Sequence, residues 1–205
     1  MIIMELLELL IMELFAADPR KRYSIRDIAK TIGKQYAPVH AAVQRMIKKK
    51  VLQKQRIGHT DYCSLELKGD ASLFCFVEAW RAKQFMRKNM AAGMIIEEAL
   101  EKLKANFYVL VLFGSYAKGK QAEKSDIDLL LIADNDRRAE ELERTLTGIS
   151  RFSKKALHVM PMNFKDFIYM ASDKATNAVN QALGNHIIFS GYEEYYKMLG
   201  AANVS

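Results

Sequence analysis

The sequence predicts an α+β fold in two parts: an amino-terminal helical unit ending in a hairpin, and a carboxy-terminal mixed sheet flanked by helices. Short helical patterns separated by turn residues fill the first third of the chain, and continuous apolar runs of strand length occur in the second half. Half of the 205 residues are hydrophobic, with only 10 Gly and 3 Pro, which excludes a disordered or low-complexity chain. This length has room for one or two domains.

Positive charge is concentrated in one segment. The chain has a formal net charge of +7, yet a single acid, Asp27, lies between Pro19 and Thr60. The basic residues of that segment are Arg20, Lys21, Arg22, Arg26, Lys30, Lys34, Arg45, Lys48, Lys49, Lys50, Lys54 and Arg56. The rest of the chain is therefore slightly acidic. Such asymmetry is typical of a segment that binds a polyanion, although a solvated basic face is the alternative.

The apolar start of the chain predicts an amphipathic helix and not a targeting signal. It lacks a basic leading segment and contains Glu5, Glu8 and Glu13. Its apolar residues follow helical spacing at Ile3, Leu6, Leu7, Leu10, Leu14 and Phe15. No later run approaches the roughly eighteen apolar residues of a membrane span. We therefore expect no membrane contact.

The two cysteines indicate a reducing compartment. Cys63 and Cys75 are too few for a disulfide scaffold, match no metal-ligand spacing and lie in apolar stretches. We expect them to be small buried residues of a cytoplasmic protein.

Two more helices follow the first. Ser24 with Asp27 three residues later forms a capping-box pattern at the start of a short helix, which Gly33 ends. A third helix is predicted from Pro38 to Lys50. Its apolar residues lie on one stripe, at Val39, Val43, Met46 and Ile47.

A hairpin completes this unit. The segments VLQKQRI and DYCSLEL have the alternating character of strands and are joined around Gly58, His59 and Thr60. Helix, helix, turn, helix and hairpin within about seventy residues resembles the winged helix-turn-helix domain of archaeal and bacterial regulators.

That resemblance implies that the third helix enters the major groove of DNA and that the hairpin touches the backbone or minor groove. The residues expected to face DNA are Gln35, Tyr36, His40, Gln44 and Arg45. The residues expected near phosphates are Lys48, Lys54, Arg56 and His59. Tyr36 and His40 also suit a packing role.

A helical region connects this unit to the rest of the chain. The sequence from Ala71 to Phe107 has no proline, and Gly93 is the expected break between two helices. We predict a winged-helix domain over 1–70, a linker helix over 71–92 and a second domain over 93–205. The Met and aromatic residues of the linker suit a core or a seam between two copies, so a homodimer is possible.

The second domain contains the motif with the clearest chemistry. Apolar runs at 109–113 and 127–132 predict two buried strands; Gly114 and Ser115 end the first, and Asp126 and Asp128 begin the second. Spacing of two along a strand places both carboxylates on one face. Paired carboxylates repel each other unless a cation neutralises them, and Mg²⁺ is the expected one. A glycine turn before a helix suits the binding of phosphate oxygens.

This pattern resembles the minimal nucleotidyltransferases of the polymerase-beta superfamily, whose signature is Gly-Ser, ten residues and Asp-x-Asp. Gly114 and Ser115 are followed by ten residues and then Asp126, Ile127 and Asp128. The resemblance implies that the aspartates bind Mg²⁺ or Mn²⁺ and that Gly114, Ser115 and Lys118 hold a nucleoside triphosphate.

Active members of that group usually carry a third carboxylate on a later strand. The strand KALHVMPMN has His158 near that position. Histidine suits the role of a base or a softer metal ligand, whereas a structural histidine is the alternative. The nearest acids, Asp134, Asp136 and Asp166, are predicted in loops or at a helix start.

The tail fits the same resemblance. Asn163 is expected to cap a helix with Asp166 at its third position. The segment HIIFSGYEEYYKML resembles the family's closing strand and helix. Its tyrosines, Tyr192, Tyr195 and Tyr196, suit base stacking, but packing against the sheet is the expected role.

Three functions are compatible with the sequence. The first is a nucleotidyltransferase that uses a nucleoside triphosphate and carries a DNA-binding winged helix. The second is a transcriptional regulator whose inactive nucleotidyltransferase-like domain senses nucleotide or dimerises. The third is an antitoxin with a toxin partner.

Overall fold

A computed structural model of the protein describes residues 5–68, 72–104, 107–150, 155–173 and 175–204. It contains one three-stranded and one four-stranded sheet. Residues 1–4, with Ile3 of the predicted first helix, lie outside the described residues, as does the domain boundary predicted at 70 and 71.

The first unit has the predicted order of elements with one addition. A two-residue strand precedes the second helix and pairs with the second hairpin strand, so the sheet has the order β1-β3-β2 and is antiparallel. The elements are α1 (Leu6–Ala17), β1 (Tyr23–Ser24), α2 (Ile25–Thr31), α3 (Tyr36–Lys48), β2 (Leu52–Ile57) and β3 (Thr60–Leu65). Sequence patterning missed β1 because two residues carry no periodicity.

The local signals of α2 and α3 are confirmed. The Ser24 side chain accepts a hydrogen bond from the Asp27 amide, and the Asp27 carboxylate accepts one from the Ser24 amide. Helix α3 begins at Tyr36, two residues before the predicted start, so that Pro38 lies in its first turn. Val39, Val43 and Met46 are fully buried, as the stripe predicts.

The next two helices are α4 (Ser72–Lys88) and α5 (Met90–Leu103). The break occurs at Asn89, so the prediction of a break at Gly93 is wrong. Gly93 lies inside α5, where an added Cβ would lie 3.1 Å from the Met86 carbonyl oxygen. This glycine therefore permits the close approach of α5 to the end of α4.

The second sheet has the order β6-β5-β4-β7. Strands β5 and β6 run parallel, whereas β4 is antiparallel to both β5 and β7. The elements are β4 (Val109–Phe113), α6 (Gly114–Ala117), β5 (Ile127–Ala133), α7 (Asp136–Ser150), β6 (Leu157–Asn163), α8 (Phe164–Ser172), α9 (Ala178–Leu183), β7 (Ile187–Ser190) and α10 (Tyr192–Ala201). Asn163 caps α8 by accepting from the Asp166 amide, as predicted.

The two faces of this sheet pack in different cores. Leu110 and Leu129 face a cluster with α5 and α7, whereas Val111 and Leu130 face a cluster that includes Phe15, in α1. The amino-terminal unit and the sheet therefore share one hydrophobic core. Helix α4 is part of this packing, because it contacts α1, β7 and α10.

A buried polar network joins the two units. The fully buried Glu78 carboxylate accepts hydrogen bonds from the Tyr196 hydroxyl at 2.7 Å and from the Arg81 guanidinium. Arg81 also donates to the carbonyl oxygens of Ala16 and His186. Burial raises the pKa of Glu78 despite the neighbouring guanidinium. One arginine thus connects α1, α4 and the start of β7.

Two further expectations concern the chain as a whole. In the described part of the chain, no helix has the length and apolar character needed to cross a membrane. Cys63 and Cys75 form no disulfide within the described residues; Cys63 is buried, whereas Cys75 is half-buried.

Candidate functional site

Gly114, in the Gly-Ser turn, packs directly against the carboxylate of the second aspartate, Asp128. Gly114 follows β4 with a φ of +72°, in the left-handed region that favours glycine. A Cβ at this position would lie 2.0 Å from Asp128 Oδ2, which is far inside van der Waals contact. Gly114 is therefore required both by its backbone conformation and by the carboxylate above it.

Three adjacent strands bring the predicted site residues into a row. Phe113, directly before Gly114, pairs with Asp128 across β4 and β5, and Asp128 pairs with His158 across β5 and β6. The His158 Nδ1 atom lies 3.3 Å from Asp128 Oδ1. The Asp128 side chain is 25% exposed and the His158 side chain 68%. The site is thus open to solvent on the histidine side.

Asp126 lies immediately before β5 and is exposed. Ile127, between the two aspartates, is fully buried, as the strand pattern predicts. The Asp126 and Asp128 carboxylates and the His158 imidazole all belong to the first residues of β5 and β6 or to the residue before β5. These groups have the donor chemistry of a divalent-cation site. Within the described residues, however, no three side chains of His, Cys, Asp or Glu are already arranged to hold a metal.

The other acids lie at the far end of the sheet. Asp136 begins α7, after the carboxyl end of β5, and Asn163 donates hydrogen bonds to the carboxylates of Asp136 and Asp166. Because β5 ends five residues after Asp128, this end lies about 17 Å from Asp128. These acids do not substitute for a third carboxylate beside the aspartate pair.

The segment between the two halves of the motif folds back on the Gly-Ser turn. The Lys118 amide donates to the Gly114 carbonyl, and the Lys120 amide donates to the Ser115 carbonyl. Gly119 adopts a φ of +63° between them. The Lys118 side chain is exposed, so its ammonium is accessible to an anion.

A small cavity of about 360 Å³ adjoins this turn, and motif reasoning did not single it out. Tyr116 lines it, and the Lys155 ammonium lies 5.6 Å from the centre of the Tyr116 ring. Gln121 donates to Asn89 at the same cavity. Tyr116 directly follows Ser115 of the motif. That position is the sequence signal that could have identified Tyr116 as a candidate site residue.

The closing tyrosines are structural. Tyr195 and Tyr196 are each 1% exposed and pack in the core, where Tyr196 stacks on Phe74 with ring centres 4.5 Å apart. The expectation that packing outweighs base stacking is confirmed for this pair.

The predicted nucleic-acid residues lie on an exposed surface, with two qualifications. Gln35, Tyr36, His40, Gln44, Lys48, Lys54, Arg56 and His59 are all exposed. Arg45, by contrast, turns toward α1 and forms ion pairs with Glu5 and with Glu8. Lys54 pairs with Asp61 across the hairpin. These ion pairs hold the half-exposed Arg45 side chain against α1, and its assignment as a DNA-facing residue stays a prediction.

Comparison with known proteins finds a family match in the carboxy-terminal region. The family described as "Nucleotidyltransferase domain" matches residues 94–187, which include the Gly-Ser turn, both aspartates and His158. This span is somewhat less than half of the chain, and the basic amino-terminal unit lies outside it. Nucleotidyltransferase domains generally use a divalent metal ion and nucleoside triphosphates.

Two curated relatives from Methanocaldococcus jannaschii match short segments. "Putative protein adenylyltransferase MJ1305" is 49% identical over 45 residues, 20% of this chain and 31% of the relative. "Putative protein adenylyltransferase MJ0604" is 35% identical over 51 residues, 25% of this chain and 51% of the relative. The chain thus spans about a third and about half of their lengths. No solved structure matches significantly.

Proposed function

We propose that the carboxy-terminal region binds a nucleoside triphosphate with Mg²⁺ or Mn²⁺ and transfers its nucleotidyl group to an acceptor hydroxyl. The observation that carries the proposal is the proximity of Gly114, directly after β4, to Asp128 in β5, and the pairing of Asp128 with His158 in the neighbouring strand β6. The match of residues 94–187 to the nucleotidyltransferase domain supports it independently.

Each residue of the motif has a distinct role in this proposal. The Gly114 and Ser115 turn and the Lys118 ammonium hold the β- and γ-phosphates, and so fix the direction of attack on the α-phosphorus. Asp126 and Asp128 hold the divalent cation, for which carboxylate oxygens are suitable ligands. Bound there, the cation supplies charge neutralisation for the triphosphate and for the departing pyrophosphate.

The proposed reaction is an in-line displacement. The acceptor oxygen forms a bond to the α-phosphorus while the bond from that phosphorus to the bridging oxygen of the β-phosphate breaks. Pyrophosphate leaves, and the hydroxyl proton passes to solvent through the exposed side of the site. Because the names of both relatives specify protein adenylylation, we infer ATP as the donor and a protein hydroxyl as the acceptor.

The test is release of pyrophosphate from labelled nucleoside triphosphates with Mg²⁺ or Mn²⁺ and candidate acceptor proteins. We expect release to fall by two or more orders of magnitude in Asp126→Asn and Asp128→Asn variants, because both remove a charged ligand. Asp134→Asn is the matched control at the other end of β5, and its activity should equal that of the wild type. Equal activity in all three variants would refute the proposal.

We further propose that the amino-terminal unit is a winged helix that binds DNA. The exposed residues of α3 and of the hairpin tip, together with the excess positive charge of residues 19–60, support this second function. Anisotropy with a labelled duplex at several salt concentrations tests it. Affinity should fall steeply as salt rises, since phosphate contacts release counterions; affinity independent of salt would contradict DNA binding.

A further inference from the structure

We propose that His158 is a metal ligand, and that it makes the site prefer Mn²⁺ to Mg²⁺. This inference rests on the proposed nucleotidyltransferase function and concerns which cation that site accepts. The observation behind it is the contact between His158 Nδ1 and Asp128 Oδ1 at 3.3 Å. Two donor atoms this close together are both within reach of one ion.

The sheet fixes this juxtaposition. His158 and Asp128 are paired residues of two parallel strands, and the strand neighbours Ile127 and Leu129 are fully buried. Side chains at paired positions point to the same side of a sheet. Register therefore places both side chains on the same side of the sheet, next to each other.

No carboxylate in the described part of the chain takes the place of this imidazole. Asp136 and Asp166 lie at the opposite end of β5 and β6, where Asn163 holds both of them. The donors that the structure brings into contact are thus one carboxylate, of Asp128, and one nitrogen, of His158, with Asp126 two residues before Asp128 in the sequence. Mg²⁺ strongly prefers oxygen ligands, whereas Mn²⁺ accepts imidazole nitrogen more readily.

The opposite explanation is that the contact is only a hydrogen bond or ion pair that fixes the Asp128 side chain. The exposure of His158 argues against a purely structural role: 68% of its side chain faces solvent, so it contributes little packing. An exposed imidazole beside a carboxylate is well placed to contact an arriving ion.

The experiment measures metal binding directly, on the full chain without a polyhistidine tag and with a non-hydrolysable ATP analogue. Pulsed electron paramagnetic resonance of bound Mn²⁺ should show nitrogen coupling from a histidine. That coupling should vanish in His158→Asp and persist in His59→Gln, the control at the exposed hairpin tip. Mg²⁺ competition, read from release of Mn²⁺, should require at least about tenfold less Mg²⁺ in His158→Asp than in the wild type.

The outcomes separate this inference from the proposed function. Mn²⁺ that binds through Asp126 and Asp128 without nitrogen coupling, or with coupling unchanged in His158→Asp, overturns the ligand role of His158 and leaves the proposed function standing. Mn²⁺ binding that is unaffected by Asp126→Asn and Asp128→Asn overturns both. Because His158 is exposed, His158→Asp is expected to fold normally, and its unfolding midpoint verifies this.

Discussion

The Asp128 carboxylate occupies the space that a side chain at position 114 would need, with Oδ2 2.0 Å from the site of a Gly114 Cβ. The two halves of the motif, which are separated by ten residues in sequence, are therefore packed against each other. Any residue other than glycine at 114 must displace the carboxylate that is proposed to bind the cation.

This relationship predicts a selective effect of Gly114→Ala. Gly119→Ala is the matched control, because Gly119 also has a positive φ, of +63°, but no atom lies within 4 Å of an added Cβ. The control should lose about 1–2 kcal/mol of unfolding free energy from backbone strain alone. Gly114→Ala should lose more and should also lose nucleotide binding. Urea unfolding and nucleotide titration measure the two effects; equal losses in both variants would contradict the steric argument.

Loss of the Tyr196 hydroxyl should weaken the junction between the two units. In Tyr196→Phe the fully buried Glu78 carboxylate loses its hydrogen bond from that hydroxyl, which should cost about 1–3 kcal/mol. Tyr195→Phe is the control, since Tyr195 is equally buried and its hydroxyl forms no hydrogen bond with the described residues. Chemical denaturation should show the larger loss in Tyr196→Phe; the reverse order would argue against the network.

His186 should make stability depend on pH. Burial, aided by the Arg81 charge, lowers the pKa of His186 from 6.5 to about 3. The unfolded chain therefore binds a proton that the folded chain rejects, so stability should fall as pH falls from about 6.5 toward 3, by about 1.4 kcal/mol per pH unit.

His186→Phe removes the titrating group and should flatten this part of the curve relative to the wild type. His59→Gln, at an exposed position, should leave the curve unchanged. Unfolding free energies measured at several pH values give the comparison. Parallel curves for the wild type and His186→Phe would show that another group causes the pH dependence.

Two neighbouring cations of α3 should behave differently. Lys48→Ala removes an exposed charge and should weaken DNA binding with little effect on stability. Arg45→Ala removes a partner of the buried Glu8 carboxylate and should lower the unfolding free energy by about 1–3 kcal/mol. Its effect on affinity should be smaller than that of Lys48→Ala. Fluorescence anisotropy measures DNA affinity and chemical denaturation measures stability for both variants. If Arg45→Ala weakened DNA binding more than Lys48→Ala and left stability unchanged, Arg45 would be a DNA-contacting residue.

The sequence alone determined most of the elements and the central motif. The Ser24 capping box, the buried stripe of α3 and the apolar strands on either side of Gly114 are local patterns, and local patterns follow from side-chain periodicity and turn chemistry. The resemblance to the nucleotidyltransferases placed His158 near the aspartates, and the structure pairs it with Asp128 across two parallel strands.

Only the tertiary structure decided which charged residues form ion pairs within the protein and which segments pack together. Arg45 and Lys48 are both basic residues of α3, and no local pattern distinguishes them. The partners of Arg45, Glu5 and Glu8, are about forty residues away along the chain. Gly93 suggested a helix break, but it lies inside α5. Its close packing against Met86 explains why a glycine occurs at this position. The shared core that joins α1 to the sheet, with the network around Glu78, likewise depends on contacts between distant segments that no local pattern specifies.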